Sequence, residues 1–92
     1  MDRPDLYVVA RILERLYHEP NPMLKTRLQV AVGTNYDVFV KYLEWMRTKG
    51  LIAIVDNDGH QMVRLTEDGS ESYSKLVVWI NETVHGKVRT SN

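Results

Sequence analysis

The stretch TNYDVFVKYLEWMRTKGLI, residues 34–52, reads as one amphipathic helix that stops at a glycine and runs straight into an apolar strand. At about 100° per residue, Tyr36, Phe39, Tyr42, Leu43 and Met46 gather on one side and Asp37, Lys41, Glu44 and Thr48 on the other. Thr34 or Asn35 can cap the start, and Thr34 with Asp37 fits the S/T-x-x-D/E capping signal. Gly50 stands where a helix needs a residue of positive φ to turn away.

Upstream, residues 3–17 are expected to form the first helix. Pro4 suits the first helical position and Asp5 the first turn, while Leu6, Val9, Leu13 and Leu16 recur at helical spacing. The run HEPNP at 18–22 ends it, because two prolines this close cannot continue a helix. Met23 and Leu24 admit two readings, a short extended piece or the opening of a helix behind Asn21 and Pro22; the extended reading is preferred. Thr26 and Gln29 make a second capping box, which starts helix two at Thr26. Leu28 and Val32 face inward, and Gly33 ends this helix at a tight corner.

Downstream, residues 51–55 are apolar and rich in β-branched side chains, and DNDG at 56–59 is the strongest turn signal in the chain. Residues 60–65 return as a second strand. Thr66 caps a last helix with Glu67 and Asp68 in its first turn and an inner stripe of Tyr73, Leu76, Val77, Ile80 and Val84. Gly86 closes that helix, and 87–92 is expected to be a flexible tail. The expected fold class is therefore mainly α with a small β-hairpin, in the order helix, helix, helix, hairpin, helix.

Ninety-two residues suit one domain, expected to span 1–86. Cysteine is absent, which excludes a disulfide framework and thiolate chemistry. No apolar run approaches the roughly 18 residues of a membrane span, and the expected location is cytoplasmic and nucleoid-associated. His18, His60 and His85 are scattered, so no metal site is expected. No catalytic triad pattern, phosphate loop or paired apolar carboxylates stand out, so no enzyme, cofactor or small-molecule ligand is expected. Twelve basic residues balance twelve acidic ones, which argues against an indiscriminate nucleic-acid coat and leaves the distribution to decide. Residues 25–49 hold five bases (Lys25, Arg27, Lys41, Arg47, Lys49) against two acids (Asp37, Glu44). Residues 66–92 hold four acids and three bases.

The motifs Lys25-Thr26-x-Leu28, Tyr36, Lys41-Tyr42-Leu43-x-x-Met46, Lys49-Gly50-Leu51-Ile52 and Leu65-Thr66-x-x-Gly69 follow one another over residues 25–69, about half the chain. In this order and spacing the chain resembles the small archaeal-type winged helix-turn-helix DNA-binding proteins and transcriptional regulators whose last helix makes an antiparallel dimer. The resemblance implies a three-helix core, a helix-turn-helix at 25–49, a two-stranded wing at 51–65 and a C-terminal dimerisation helix at 66–85. It also implies a homodimeric partner of double-stranded DNA, sequence-specific or architectural, whose recognition helix at 35–49 enters the major groove. Two departures stand out: the wing tip carries Asp56 and Asp58 where relatives carry bases, and the last helix has room for only about two heptads.

Lys25, Arg27 and Arg47 are then the expected phosphate contacts, and Tyr36, Val40 and Lys41 the base-facing group. Thr26, Asn35 and Arg64 complete the candidate nucleic-acid-binding set. Asp37 suits helix capping, the preferred reading, and could also accept from a cytosine amine. Trp45 and Trp79 lie outside the inner stripes, so they either pack beneath helix one or meet a partner. A homodimer through the last helix is preferred, with Tyr73, Leu76, Trp79, Ile80 and Thr83 as contacts. The alternative is a protein-interaction adaptor on the same fold without direct DNA binding.

Overall fold

The computed structural model describes residues 3–85. Gly86, the tail at 87–92 and the His85 side chain lie outside the described part. In order, the elements are α1 (Leu6–Tyr17), β1 (Met23–Leu24), α2 (Lys25–Val32), α3 (Tyr36–Thr48), β2 (Ile52–Asn57), β3 (His60–Leu65) and α4 (Glu67–Ile80). α4 runs on into a π-helical turn, Asn81–His85.

Helix α1 starts later than its sequence suggests. The Asp5 carboxylate accepts from the Tyr7 N–H at 2.9 Å and caps the helix, so Pro4 lies outside it. The Asp5 N–H in turn donates to the Tyr42 hydroxyl at 2.9 Å, which pins the start of α1 to α3. Met23 and Leu24 are extended, as preferred, and they do more than connect. Met23 pairs with Val63 and Leu24 with Met62, so the wing is a three-stranded sheet in the order β1-β3-β2 and not a two-stranded hairpin.

That pairing also moves the start of α2. Leu24, held in the sheet, serves as the backbone cap and makes no side-chain capping bond; α2 begins at Lys25 and the Thr26–Gln29 box does not form. The Gln29 amide instead donates to the Thr34 carbonyl at 2.7 Å, across the corner. At that corner Gly33 has φ 87°, a conformation that side-chain-bearing residues rarely adopt, and its N–H closes onto the Gln29 carbonyl.

Asn35 caps α3, accepting from the Val38 N–H at 2.9 Å. The Thr34 hydroxyl is enclosed and has no hydrogen-bond partner, so the Thr34–Asp37 box is absent. Phe39, Tyr42, Leu43 and Met46 are buried against Val9, Ile12, Leu13 and Leu16 of α1, Leu28 and Val32 of α2, and Met23, Ile52 and Val63 of the sheet. Tyr36 departs from the inward stripe and is 48% exposed. Strand β2 runs two residues further than expected. Asn57 pairs with His60, and Asp58 and Gly59 (φ 56° and 81°) make a two-residue turn with both φ values positive, the type I′ signature.

Helix α4 is joined to this core at its start and again against α1. The Thr66 hydroxyl donates to the Gly50 carbonyl at 2.5 Å and accepts from the Gly69 N–H at 3.0 Å, while the Thr66 N–H donates to the Leu51 carbonyl at 3.1 Å. Gly69 packs so closely that a Cβ there would lie 2.0 Å from the Leu51 carbonyl oxygen. Farther along, the Tyr73 ring stacks on Tyr17 at 4.7 Å. Its burial, then the nearby Glu14 carboxylate and Tyr17, raise the Tyr73 phenol above its ordinary pKa. No apolar side chain of α4 is fully buried.

Candidate nucleic-acid interface

Three elements meet where α2 begins. Extending the β1–β3 register by one residue sets Lys25 opposite Gln61, and the Lys25 ammonium donates to the Gln61 amide oxygen at 2.9 Å. The same ammonium sits 5.5 Å from the centre of the Tyr36 ring, on the first turn of α3. One lysine thus ties the helix-turn-helix to the side of the wing. Gln61 was not among the candidate residues, although period-two alternation puts it on the same side of β3 as Val63; there it is exposed, at the edge of the sheet beside Lys25.

The outward face of α3 carries exposed Asp37, Lys41 and Glu44, with Thr48 beyond them. Lys41, Glu44, Trp45 and Thr48 line one shallow depression. Arg47 is exposed but not free: its guanidinium is paired with Glu44 through two nitrogens, Nε and Nη2. The hydrogen bond from Arg47 is the main cause that lowers the Glu44 pKa, and the same bond raises that of Arg47. The positive charge expected over residues 25–49 is therefore unevenly placed. On α3 it is largely cancelled locally, and at α2 the chain shows Lys25 and exposed Arg27 with no acid in that helix.

The remaining candidates fall in different places. Thr26 and Arg27 line a hollow with Arg15, Val30 and Ala31, between α1 and α2. Asn35 spends its side-chain oxygen on the α3 cap. Val40 is half-buried beside the exposed Lys41. Arg64 is not brought to this group. Its guanidinium donates to the Leu65 carbonyl at 3.3 Å and lines a cavity of about 420 Å³ with Glu19 and Glu67, at the root of the wing. Asp56, Asn57, Asp58, Gly59 and His60 are all exposed, so two carboxylates sit at the wing's end.

On α4 the five candidate dimer residues divide. Tyr73 is half-buried in its own chain, against Tyr17 and near His18, and Leu76 and Ile80 are half-buried too. Trp79 is 58% exposed, and Thr83 is exposed. The two tryptophans thus meet different fates: Trp45 is packed on the core with the Lys49 ammonium 5.6 Å from its ring centre. Among the described residues no helix is long and apolar enough to cross a membrane, and no group of three or more His, Asp or Glu could hold a metal ion.

Residues 3–83 match the family described as winged helix-turn-helix. No curated protein matches the chain. Among solved structures, the chain is similar to a MarR family transcriptional regulator from Silicibacter pomeroyi, at 27% identity and a TM-score of 0.67 over 77% of this chain and 51% of that one. A homodimeric winged helix-turn-helix DNA-binding domain from Mycobacterium bovis, a possible ArsR-family transcriptional regulator, is similar at 19% identity and a TM-score of 0.76, covering 91% and 78%. The PcaV transcriptional regulator from Streptomyces coelicolor, solved with its natural ligand, is similar at 21% identity and a TM-score of 0.73, covering 86% and 57%. The chain spans about half the length of the first and under two thirds of the third. At their identities, the second and third show a shared fold alone.

Proposed function

The chain belongs to the winged helix-turn-helix family, and from that premise we propose that it is a double-stranded-DNA-binding transcriptional regulator, cytoplasmic and homodimeric, with α3 in the major groove. The observation that carries this reading is how α3 is presented. Phe39, Leu43 and Met46 are sunk completely in the core, and the opposite side, with Lys41, is bare. A helix anchored along one ridge and open along the other has the form a groove-reading helix needs. Lys25 and Arg27 at the start of α2 serve as phosphate contacts, and Tyr36, held under Lys25, and Lys41 face the bases. The wing contributes its side, through Gln61, and keeps its acidic tip away from phosphate. The homodimer forms through α4, around exposed Trp79.

Fluorescence anisotropy on duplex DNA tests this. Binding at low salt should weaken steadily as salt is added, and Lys41→Ala or Arg27→Ala should weaken it further with the circular dichroism unchanged. Each lost phosphate contact should flatten the log–log salt slope by about one. Absence of duplex binding at micromolar protein would overturn the reading.

A second reading, a protein-binding adaptor, draws on the Glu44–Arg47 pair and the acidic wing tip, which leave the outward side of α3 close to neutral. It predicts association with a protein through the Trp79 surface that salt does not weaken.

A further inference from the structure

The cations at the start of α2 continue onto a third helix. The Lys25 ammonium stands 5.5 Å from the centre of the Tyr36 ring on α3, and Arg27 shares the opening turn of α2 with Lys25. Arg27 in turn lines a hollow of about 400 Å³ together with Arg15, from the last turn of α1. Thr26, Val30 and Ala31 complete that hollow, and no carboxylate is among its lining residues. Lys25, Arg27 and Arg15 therefore lead from α3 across α2 to α1. Past Arg15 the run ends. The neighbouring hollow along α1 takes in Glu14, and there the Arg11 guanidinium lies 5.6 Å from the centre of the Tyr7 ring.

The hollow between α1 and α2 offers two kinds of surface. Val30, 76% exposed, and Ala31 are apolar, as are the methylene stems of the two arginines. Two guanidinium groups and the Thr26 hydroxyl are donors. A nucleic-acid backbone has the matching pair, C–H surface on each deoxyribose and a charged oxygen pair on each phosphate, and the guanidinium fork fits the phosphate. Arg15 now lies 3.4 Å from the Glu19 carboxylate, with its side chain 44% exposed. An exposed pair of this kind contributes little, so a phosphate can take the place of the carboxylate. We propose that Arg15 is a further DNA-backbone contact, which with Arg27 holds the strand flanking the groove that α3 reads, and that Glu19 competes with that strand for it. This rests on the DNA-binding reading above and adds α1 to the interface.

Fluorescence anisotropy with duplex DNA tests this on the full chain, R15Q, R11Q, E19Q and R15Q/E19Q, between about 50 and 200 mM salt, with circular dichroism as the check on folding. R15Q should bind about fivefold more weakly at low salt, with a log–log salt slope flatter by about one. R11Q, which removes the same charge one turn away, should stay within about twofold of the natural chain with its slope unchanged. E19Q should bind about two- to threefold more tightly, and that gain should vanish in R15Q/E19Q, because Glu19 acts through Arg15. Natural affinity and slope in R15Q overturn the proposal and leave the hollow to an acidic protein segment instead. An equal loss in R11Q, which would be a response to net charge, overturns it too, as does a gain from E19Q that persists without Arg15. In those three cases the natural chain still binds duplex DNA and the reading above stands. A natural chain that binds no duplex at micromolar concentration overturns both.

Discussion

Helices α3 and α4 are nearly equal in length, 13 and 14 residues, and both carry apolar residues on more than one side. Their fates differ. α3 buries Phe39, Tyr42, Leu43 and Met46, and its outer surface is mostly polar, with Tyr36 and Val38 partly in solvent. α4 fully buries only Gly69 and leaves Val78 and Trp79 in solvent. Similar amphipathicity therefore leads to different uses, decided by which core residues are within reach. One helix is held by its own chain, and the other has more apolar surface than the described residues cover.

Several substitutions sharpen or break that contrast. Phe39→Ala empties the centre of the core and should cost about 3–5 kcal/mol, read as a large fall in the urea midpoint. Gly69→Ala forces a methyl group into the Leu51 carbonyl, which is backbone and cannot rotate away. It should cost about 1–3 kcal/mol by the same measurement, although alanine favours helix elsewhere. Thr66→Val removes both the cap of α4 and its bond to the Gly50 carbonyl, and should cost about 1–2 kcal/mol. Trp79→Ala should leave the unfolding midpoint of dilute protein within about 0.5 kcal/mol of the natural chain, yet abolish the rise of Tm with protein concentration that a dimer shows. A large loss of stability for Trp79→Ala in dilute protein would mean that α4 is held by its own subunit after all.

The smallest effect is expected at Glu44→Gln. It frees Arg47, so duplex DNA should bind more tightly, with a salt slope steeper by about one. Acid should mimic it in part. The folded-state pKa of Glu44 is lowered, so the pair is intact at neutral pH and is lost as pH falls through that lowered value.

What the sequence made legible was local. The Asp58–Gly59 turn, the Gly33 corner, the Thr66 cap and the α3 core ridge each depend on residues within a turn or two of one another, and each was readable from spacing. What it hid was long-range or competitive. Nothing near Met23 announces its pairing with Val63, forty residues away, and that pairing is what displaces the Thr26 cap. Lys25 and Gln61 meet for the same reason. Arg47 looked like a free phosphate contact because Glu44, three residues earlier on the helix, entered only the charge balance of the segment and not as the partner of Arg47. Arg64 looked like part of the binding group because its strand was, although its side chain turns toward Leu65 and the cavity at the wing root. On α4 the inner stripe was legible as far as Ile80, since Tyr73, Leu76, Val77 and Ile80 are half-buried and Val78 and Trp79 exposed; Val84, also expected inside, is exposed in the π-helical turn, where α-helical spacing no longer holds.

The hydroxyl of Thr66 touches the end of the α3 segment through Gly50 and the start of α4 through Gly69, with no methyl group to spare between the backbones. In a dimer built on α4, this junction works as the rivet of a pair of calipers. The gap between the two jaws is fixed there and not by the jaws themselves. A molecule that loosened or wedged that rivet would change which half-site separation fits without coming near a base pair.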